Sequence, residues 1–287
     1  MDTGKISKEI QTQWAGRSIA FFEEIDSTNN MAGALAEEGA PEGTLVLADR
    51  QTGGKGRRGR QWFSPAGTGI WMTLLLRPEL PPEQIPAITL VAALSVSKAI
   101  RHATGIETGI KWPNDLVVEG KKVCGILTEM RFVPGNRPYV LLGIGINVNQ
   151  TEFPEDLPHA YSLRMAASKQ RASDDICSLS RQCKSDKETI SGEHLRERII
   201  ALICTYFEKD YEIYLKTGDM CLLKQEYKEK LTNLNREVQV LATSGSWLGV
   251  AEGISDSGDL LVRDAAGVLQ TVNSGEVSVR GVYAYAE

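Results

Sequence analysis

Residues 53 to 62, Gly-Gly-Lys-Gly-Arg-Arg-Gly-Arg-Gln-Trp, hold the densest chemistry in the chain. Lys55, Arg57, Arg58 and Arg60 alternate with glycines, and Trp62 closes the run. Glycine lets backbone N–H groups approach a ligand closely. Arginine supplies planar forks that hold carboxylate or phosphate oxygens. The pattern reads as an anion clamp, with a solvated basic turn as the plain alternative. Gly54-Lys-Gly-Arg-Arg-Gly59 has the spacing of a dinucleotide fingerprint, but such a fingerprint opens a helix. Here Gln61-Trp-Phe-Ser-Pro follows, which is loop chemistry. No Gly-Lys-Ser/Thr occurs, which excludes a Walker A loop, and neither H-R-D nor D-F-G follows, which excludes a kinase glycine loop.

Three further groups could join this loop. Lys111-Trp-Pro-Asn-Asp115 places a proline after Trp112, which drives that residue out of the helical region and makes a corner. A corner between strands can project Lys111, Asn114 and Asp115 into one site. Lysine could neutralise a phosphate, and Asp115 could hold a metal or orient an amine; an ordinary exposed turn is the alternative. Gly125 lies inside the strand that begins Lys121-Lys122, and glycine within a strand often marks close approach by a ligand. Gly143-Ile-Gly-Ile-Asn147 leaves one sheet face bare and ends in a side chain that both donates and accepts. Its alternative is tight helix–sheet packing.

The elements that must position these groups follow from pattern. Strands are expected at 18–25, 44–48 and 69–76. Asp26-Ser27-Thr28 supplies N-caps for a helix at 29–38 stopped by Gly39. Apolar residues at helical spacing mark 85–104, with Gly105 as the stop. Strands resume at 106–112, 115–119, 122–131 and 138–148, the middle pair forming a hairpin. The polar run 168–190 reads as a loop or insertion. Helices at about 192–216 and 219–232 precede short strands at 236–243, 246–254, 259–263, 268–272 and 276–280, a small barrel in outline.

The 287 residues suffice for one large domain and a small one. A net charge of −5 gives no general attraction to nucleic acid, so the basic loop suits a small anion. Five scattered cysteines, none in C-x-x-C spacing, argue against disulfides and zinc. The N-terminus lacks the apolar region of a signal peptide, and no run is expected to reach membrane-spanning length. A cytoplasmic protein without a DNA or membrane partner is expected.

The order Ser27-Thr28-Asn29, glycine/arginine loop, Lys-Trp-Pro-Asn-Asp, Lys-x-x-Gly-Ile-Leu, Gly-Ile-Asn resembles the biotin protein ligase family. The resemblance runs from about Arg17 to the C-terminus and includes Asn273 to Arg280. It implies an α+β fold: a mixed sheet with flanking helices, akin to class II synthetase cores, followed by an SH3-like barrel. The implied division is a short segment at 1–16, a catalytic domain at 17–233 and the barrel at 234–287. With so few residues ahead of residue 17, the form without the family's helix-turn-helix domain is expected.

The implied chemistry has two steps: biotin and ATP give biotinyl-adenylate and pyrophosphate, and a carrier-domain lysine then takes the biotinyl group and releases AMP. Holding a carboxylate about 4 Å from a phosphate charge costs about 4 kcal/mol at an effective dielectric near 20. Lys55, Arg57, Arg60, Lys111 and Lys122 can offset this. The resemblance assigns Ser27, Thr28, Gln51 and the backbone around Lys55 and Arg57 to biotin's ureido group, and counts Asn29, Gly54, Gly56 and Arg60 among the binding residues. It places Arg57 on the adenylate phosphate, Trp62 on adenine, Asn114 and Asn147 on the nucleotide, and Lys122 with Gly125 near the reacting carboxylate. Lys111 would stabilise charge during adenylation, and Asp115 would contact Mg²⁺ or the incoming amine. ATP, biotin and Mg²⁺ are the implied small partners. A carboxylase's biotin carboxyl carrier domain is the implied acceptor, and a homodimer the implied assembly. Lipoate ligation and biotin-responsive DNA regulation are the competing functions; the arginine-rich loop and the net acidity favour biotin ligation.

Overall fold

A computed structural model describes residues 1–132, 137–178, 194–242, 245–274 and 278–281. A seven-stranded mixed sheet carries the larger part. Its strands are β1 (Ser18–Ile25), β2 (Thr44–Gln51), β3 (Gly69–Leu76), β4 (Gly109–Lys111), β5 (Asp115–Val118), β6 (Lys121–Arg131) and β7 (Tyr139–Asn147), in the order β1-β2-β3-β7-β6-β5-β4. Only β1 and β2 run parallel. The crossover between them is α2 (Thr28–Glu37), which packs Ala32 and Ala36 against Val46, Leu75 and Leu141 on one sheet face. The opposite face is covered by α3 (Ile88–Thr104) and α5 (Leu195–Thr217). Covering both faces explains why β3 is buried along its whole length and reads as an apolar run broken only at Thr73.

The second sheet is antiparallel. It comprises β8 (Glu237–Ala242), β9 (Gly245–Ile254), β10 (Leu260–Asp264), β11 (Leu269–Val272) and β12 (Ser278–Gly281), ordered β11-β10-β9-β8-β12. Its inward residues Val238, Val240, Ala251 and Val262 join the main apolar core.

Several expectations need correction. The run 168–190 is not loop from its start: α4 spans Leu163–Ser178. Leu163, Ala166 and Ala167 are buried at i, i+3 and i+4, and no glycine or proline interrupts them. Residues 179–193 lie outside the described set. The strand at 106–112 shrinks to β4, and the helix at 219–232 to α6 (Lys224–Lys230). The helix at 85–104 begins as a tight 3₁₀ stretch, Pro82–Ala87, before α3 proper, and Gly105 ends it with φ 71°. The whole segment Pro82–Thr104 is long and apolar enough to cross a bilayer, against expectation, but 78% of its apolar window is buried inside the protein. It is a core helix.

The first sixteen residues are ordered by a helix that propensity alone did not suggest. α1 (Thr3–Glu9) is capped by the Asp2 side chain and buries Ile6. The chain that follows is tied to α5 by Glu208, whose buried carboxylate accepts from the backbone N–H of Gln13, Trp14 and Ala15 at 2.7, 2.8 and 2.9 Å.

Candidate functional site

The parallel pairing of β1 with β2 sets Ile25 opposite Gln51. The start of α2 therefore lies beside the end of β2, where the glycine loop begins. Ser27 occupies the N-cap position but makes no side-chain cap bond, unlike the expectation from its type. Gln51 Oε1 instead accepts from Thr28 N at 2.8 Å and Thr28 Oγ1 at 3.0 Å. Gln51 Nε2 donates to Ser64 Oγ at 3.0 Å. Asn29 donates through Nδ2 to Glu129 Oε2 at 2.7 Å. The wall here is neutral and rich in oriented donors and acceptors.

The glycine loop folds back on itself. Lys55 and Gln61 form an isolated antiparallel bridge, Gly56 N donates to Arg60 O at 2.7 Å, and Trp62 N donates to Gly54 O at 2.9 Å. The reversal needs left-handed backbone at Arg58 (φ 57°) and Gly59 (φ 72°), which is costly for most side chains and free for glycine. The loop thereby turns Arg57 inward. Its Nη1 donates to Asn114 Oδ1 at 2.9 Å and its Nη2 to the backbone oxygen of Ser274, in the turn that follows β11 of the small sheet. Burial lowers the Arg57 pKa, Asp115 opposes that shift, and Arg58 and Arg60 add to it. The guanidinium stays charged, since arginine does not lose its proton in proteins.

Trp62 turns inward over the bare face of two strands. Gly125 and Gly145 are register partners on β6 and β7. A Cβ at Gly145 would meet the Trp62 ring at 2.5 Å, and one at Gly125 would meet it at 2.7 Å. The indole also packs edge-on against Trp71, with centroids 6.5 Å apart, and Lys122 Nζ lies 5.1 Å from its centre. Its Nε1 is buried with no hydrogen-bond partner, an unfavourable placement for a donor. Lys122 is paired with Asp115 at 2.6 Å.

One cleft gathers Ser27, Thr28, Asn29, Gln51, Lys55, Gly56, Arg57, Trp62, Asn114, Lys122 and Gly125. Its free volume is about 50 Å³, small because the Trp62 and Arg57 side chains line it. The other candidates stand off it. The Gly54 backbone packs against Trp62 O and Gln51 from behind. Arg60 is exposed, and its backbone serves the loop. Lys111 and Asp115 are buried register partners behind Lys122. Asn147 is buried and donates to Tyr161 O at 3.0 Å. Met72, Ile126, Leu127, Gly143 and Ile144 also line the cleft. The apolar members of this set carry no chemical signal that distinguishes them from core residues.

Among the described residues, no three His, Cys, Asp or Glu side chains cluster to hold a metal ion. The Asp115 carboxylate is already engaged by Lys122. Side chains alone therefore build no metal cage among the described residues, and Asp115 would contribute a single carboxylate. Cys124 is fully buried, and burial pushes its thiol pKa up, so it packs rather than reacts.

Residues 21–149 match the biotin/lipoate A/B protein ligase family, and residues 234–280 match the biotin protein ligase C-terminal domain. The bifunctional ligase/repressor BirA of Bacillus spizizenii is 38% identical over 272 residues, an alignment covering 92% of this chain and 77% of that protein. The biotin--[acetyl-CoA-carboxylase] ligase of Paracoccus denitrificans is 30% identical, with 89% of this chain and 98% of that one aligned. Among solved structures, a biotin protein ligase from Aquifex aeolicus in complex with biotin and ATP superposes with a TM-score of 0.72 at 28% identity, covering 92% of this chain and 99% of that one.

Proposed function

The chain belongs to the biotin protein ligase family, and from that premise we propose that it activates biotin with ATP and transfers it to a lysine of a carboxylase carrier domain. The observation that carries the reading is the division of the cleft. Neutral, hydrogen-bonding side chains (Ser27, Thr28, Asn29, Gln51) line one part, bare glycine backbone forms the floor, and Arg57 and Lys122 supply positive charge. Biotin has the matching parts: a neutral cyclic urea, an apolar ring and chain, and a terminal carboxylate.

In the first step a biotin carboxylate oxygen attacks the α-phosphorus of ATP. The bond from that phosphorus to the bridging oxygen breaks, and pyrophosphate leaves. Arg57 and Lys122 reduce the repulsion between the two anions and then hold the mixed anhydride. Asn114, already fixed by Arg57 and by its own bond to Ile126 O at 3.1 Å, faces the nucleotide side. Trp62 moves off the glycine floor to make room and packs on the adenine. In the second step a neutral lysine amine attacks the acyl carbon, the acyl–phosphate bond breaks, and AMP leaves. Its proton must be lost on the way, because only about 0.1% of an ordinary lysine is neutral at pH 7. Asp115 is the nearest carboxylate to the cleft cations and is assigned to orient that amine. Lys111 and Asn147 act from behind the lining residues. Mg²⁺ accompanies the nucleotide's phosphates instead of occupying a protein-built site.

A homodimer is proposed from the free half of β6. β5 pairs only with residues 121–125 of that strand, so Leu127–Arg131 present a strand edge with no strand partner among the described residues.

The test is to incubate the purified chain with biotin, ATP, Mg²⁺ and a carrier domain, then weigh the acceptor. The reading requires the mass gain of one biotinyl group, dependent on ATP. Acceptor that gains no biotinyl mass, or that gains only lipoyl when lipoate is supplied beside biotin, overturns it.

A further inference from the structure

β3 is apolar at every side-chain-bearing position but one. Thr73 sits at its centre, fully buried, where a valine would fill the same space without a hydroxyl to satisfy. Its Oγ1 lies 2.8 Å from Thr28 Oγ1 and 2.5 Å from Asn29 Oδ1. Thr73 itself does not line the cleft; Thr28 and Asn29 do.

Proton counting gives this hydroxyl a role. Gln51 Oε1 has no proton, so Thr28 Oγ1 must donate to it. Thr28 Oγ1 is then left as an acceptor toward Thr73, whose single proton is shared between Thr28 Oγ1 and Asn29 Oδ1 in a three-centre bond. The Glu129 carboxylate can only accept, so Asn29 must turn its Nδ2 to Glu129 and its Oδ1 to Thr73. Gln51 turns its Nε2 to Ser64 Oγ, which donates on to Trp62 O at 3.0 Å. Thr73 therefore stands where two runs of hydrogen bonds meet, one through Thr28, Gln51 and Ser64, the other through Asn29 and Glu129. Glycine makes the space: a Cβ at Gly143, the register partner of Thr73, would meet Asn29 Oδ1 at 2.4 Å.

We propose that Thr73 is a positioning residue that fixes the hydrogen-bond polarity of the Thr28–Asn29–Gln51 wall and so selects a ligand with adjacent N–H and C=O groups, as a cyclic urea has. This rests on the biotin reading of the same cleft. With Thr73 in place, one amide hydrogen of Gln51 and one lone pair of Thr28 remain unspent. Without its hydroxyl, Thr28 and Asn29 lose their common donor, and the Asn29 amide loses half of what sets its orientation.

The test compares Thr73→Val, which removes the hydroxyl at constant volume, with Thr73→Ser, which keeps it. Biotin binding is titrated directly, and KM for biotin, KM for ATP and kcat are measured separately. For Thr73→Val, the biotin Kd and KM are expected to rise roughly tenfold, the scale of losing one or two oriented hydrogen bonds. The ATP KM and kcat should move far less, and Thr73→Ser should stay near the wild type. An unchanged biotin Kd, or a parallel rise in the biotin and ATP constants, overturns the assignment. Should the valine variant fail to fold, Thr73→Ala against Thr73→Ser isolates the hydroxyl, since both lack the methyl group; equal biotin constants for that pair refute the proposal. Wild-type protein that does not bind biotin overturns the ligase reading as well, whereas wild-type binding with an indifferent variant overturns the role of Thr73 alone.

Discussion

Removing the Arg57 guanidinium by Arg57→Gly cuts two bonds at once, to Asn114 and to the Ser274 carbonyl. The adenylate then loses the cation expected to hold its phosphate. Charge-assisted bonds of this kind are worth about 1.5–3 kcal/mol, so release of the intermediate should quicken by roughly one to two orders of magnitude. Labelling of bystander lysines, read by mass spectrometry, should rise accordingly. Lys111→Ala acts differently. Lys111 is buried behind the cleft as the register partner of Asp115, and its loss is expected to slow pyrophosphate release by about a hundredfold. Acceptor labelling from preformed biotinyl-adenylate should fall much less. The cations were legible because charge among glycines has few structural uses. The Trp62 position was legible only in part: its type suggested stacking, but its present seat on Gly125 and Gly145 depends on strand register. Thr73 and Glu129 carried no signal, because a lone threonine in an apolar strand has many ordinary explanations.

Pairing of β6 with β7 creates the glycine floor, and its tolerance can be measured. A methyl at Gly145→Ala would press on the Trp62 ring at 2.5 Å. Raised KM values for biotin and ATP, about tenfold or more, are expected with little change in thermal stability, since the indole can move away from the floor. On the far face of the sheet, α3, α5 and α6 meet at Lys98, which bonds Asp210 at 2.9 Å and Glu226 at 2.8 Å; Ser95 adds a bond to Asp210. Burial, the largest influence, raises the Asp210 carboxyl above its ordinary 3.8 despite these donors. The native state therefore keeps that proton to higher pH than the unfolded chain does. Its contribution to stability is complete below pH 3.8 and is lost as pH rises through the raised value. Lys98→Met should cost about 3 kcal/mol at neutral pH by leaving that charge without its ammonium. The loss should shrink on acidification, and Asp210→Asn in the same background should abolish the pH dependence; urea midpoints at several pH values would show both. Helix α4 shows where element reading failed. Its polar, serine-containing sequence resembles a loop in composition, and only the spacing of Leu163, Ala166 and Ala167 marks the buried stripe.

Across the whole molecule, the order of motifs was more informative than any one of them, because β-register and the α2 crossover bring five separated motifs to one cleft. Assembly was not readable from pattern. The free half of β6 became visible only once β5 was seen to stop short, and beyond that edge Phe132 is 71% exposed. Sedimentation velocity is expected to show concentration-dependent dimers. Phe132→Asp should weaken them by about 1–2 kcal/mol while leaving the melting of the monomer unchanged; a sharp monomer at every concentration would contradict the edge-to-edge arrangement.

The arginine that reaches from the glycine loop to the turn after β11 bonds main chain there, the carbonyl of Ser274. The identity of residue 274 can therefore drift freely, whereas an insertion or deletion between β11 and β12 shifts the carbonyl and is felt in the cleft. A chimaera carrying a foreign C-terminal module should succeed or fail on the length of that one connection.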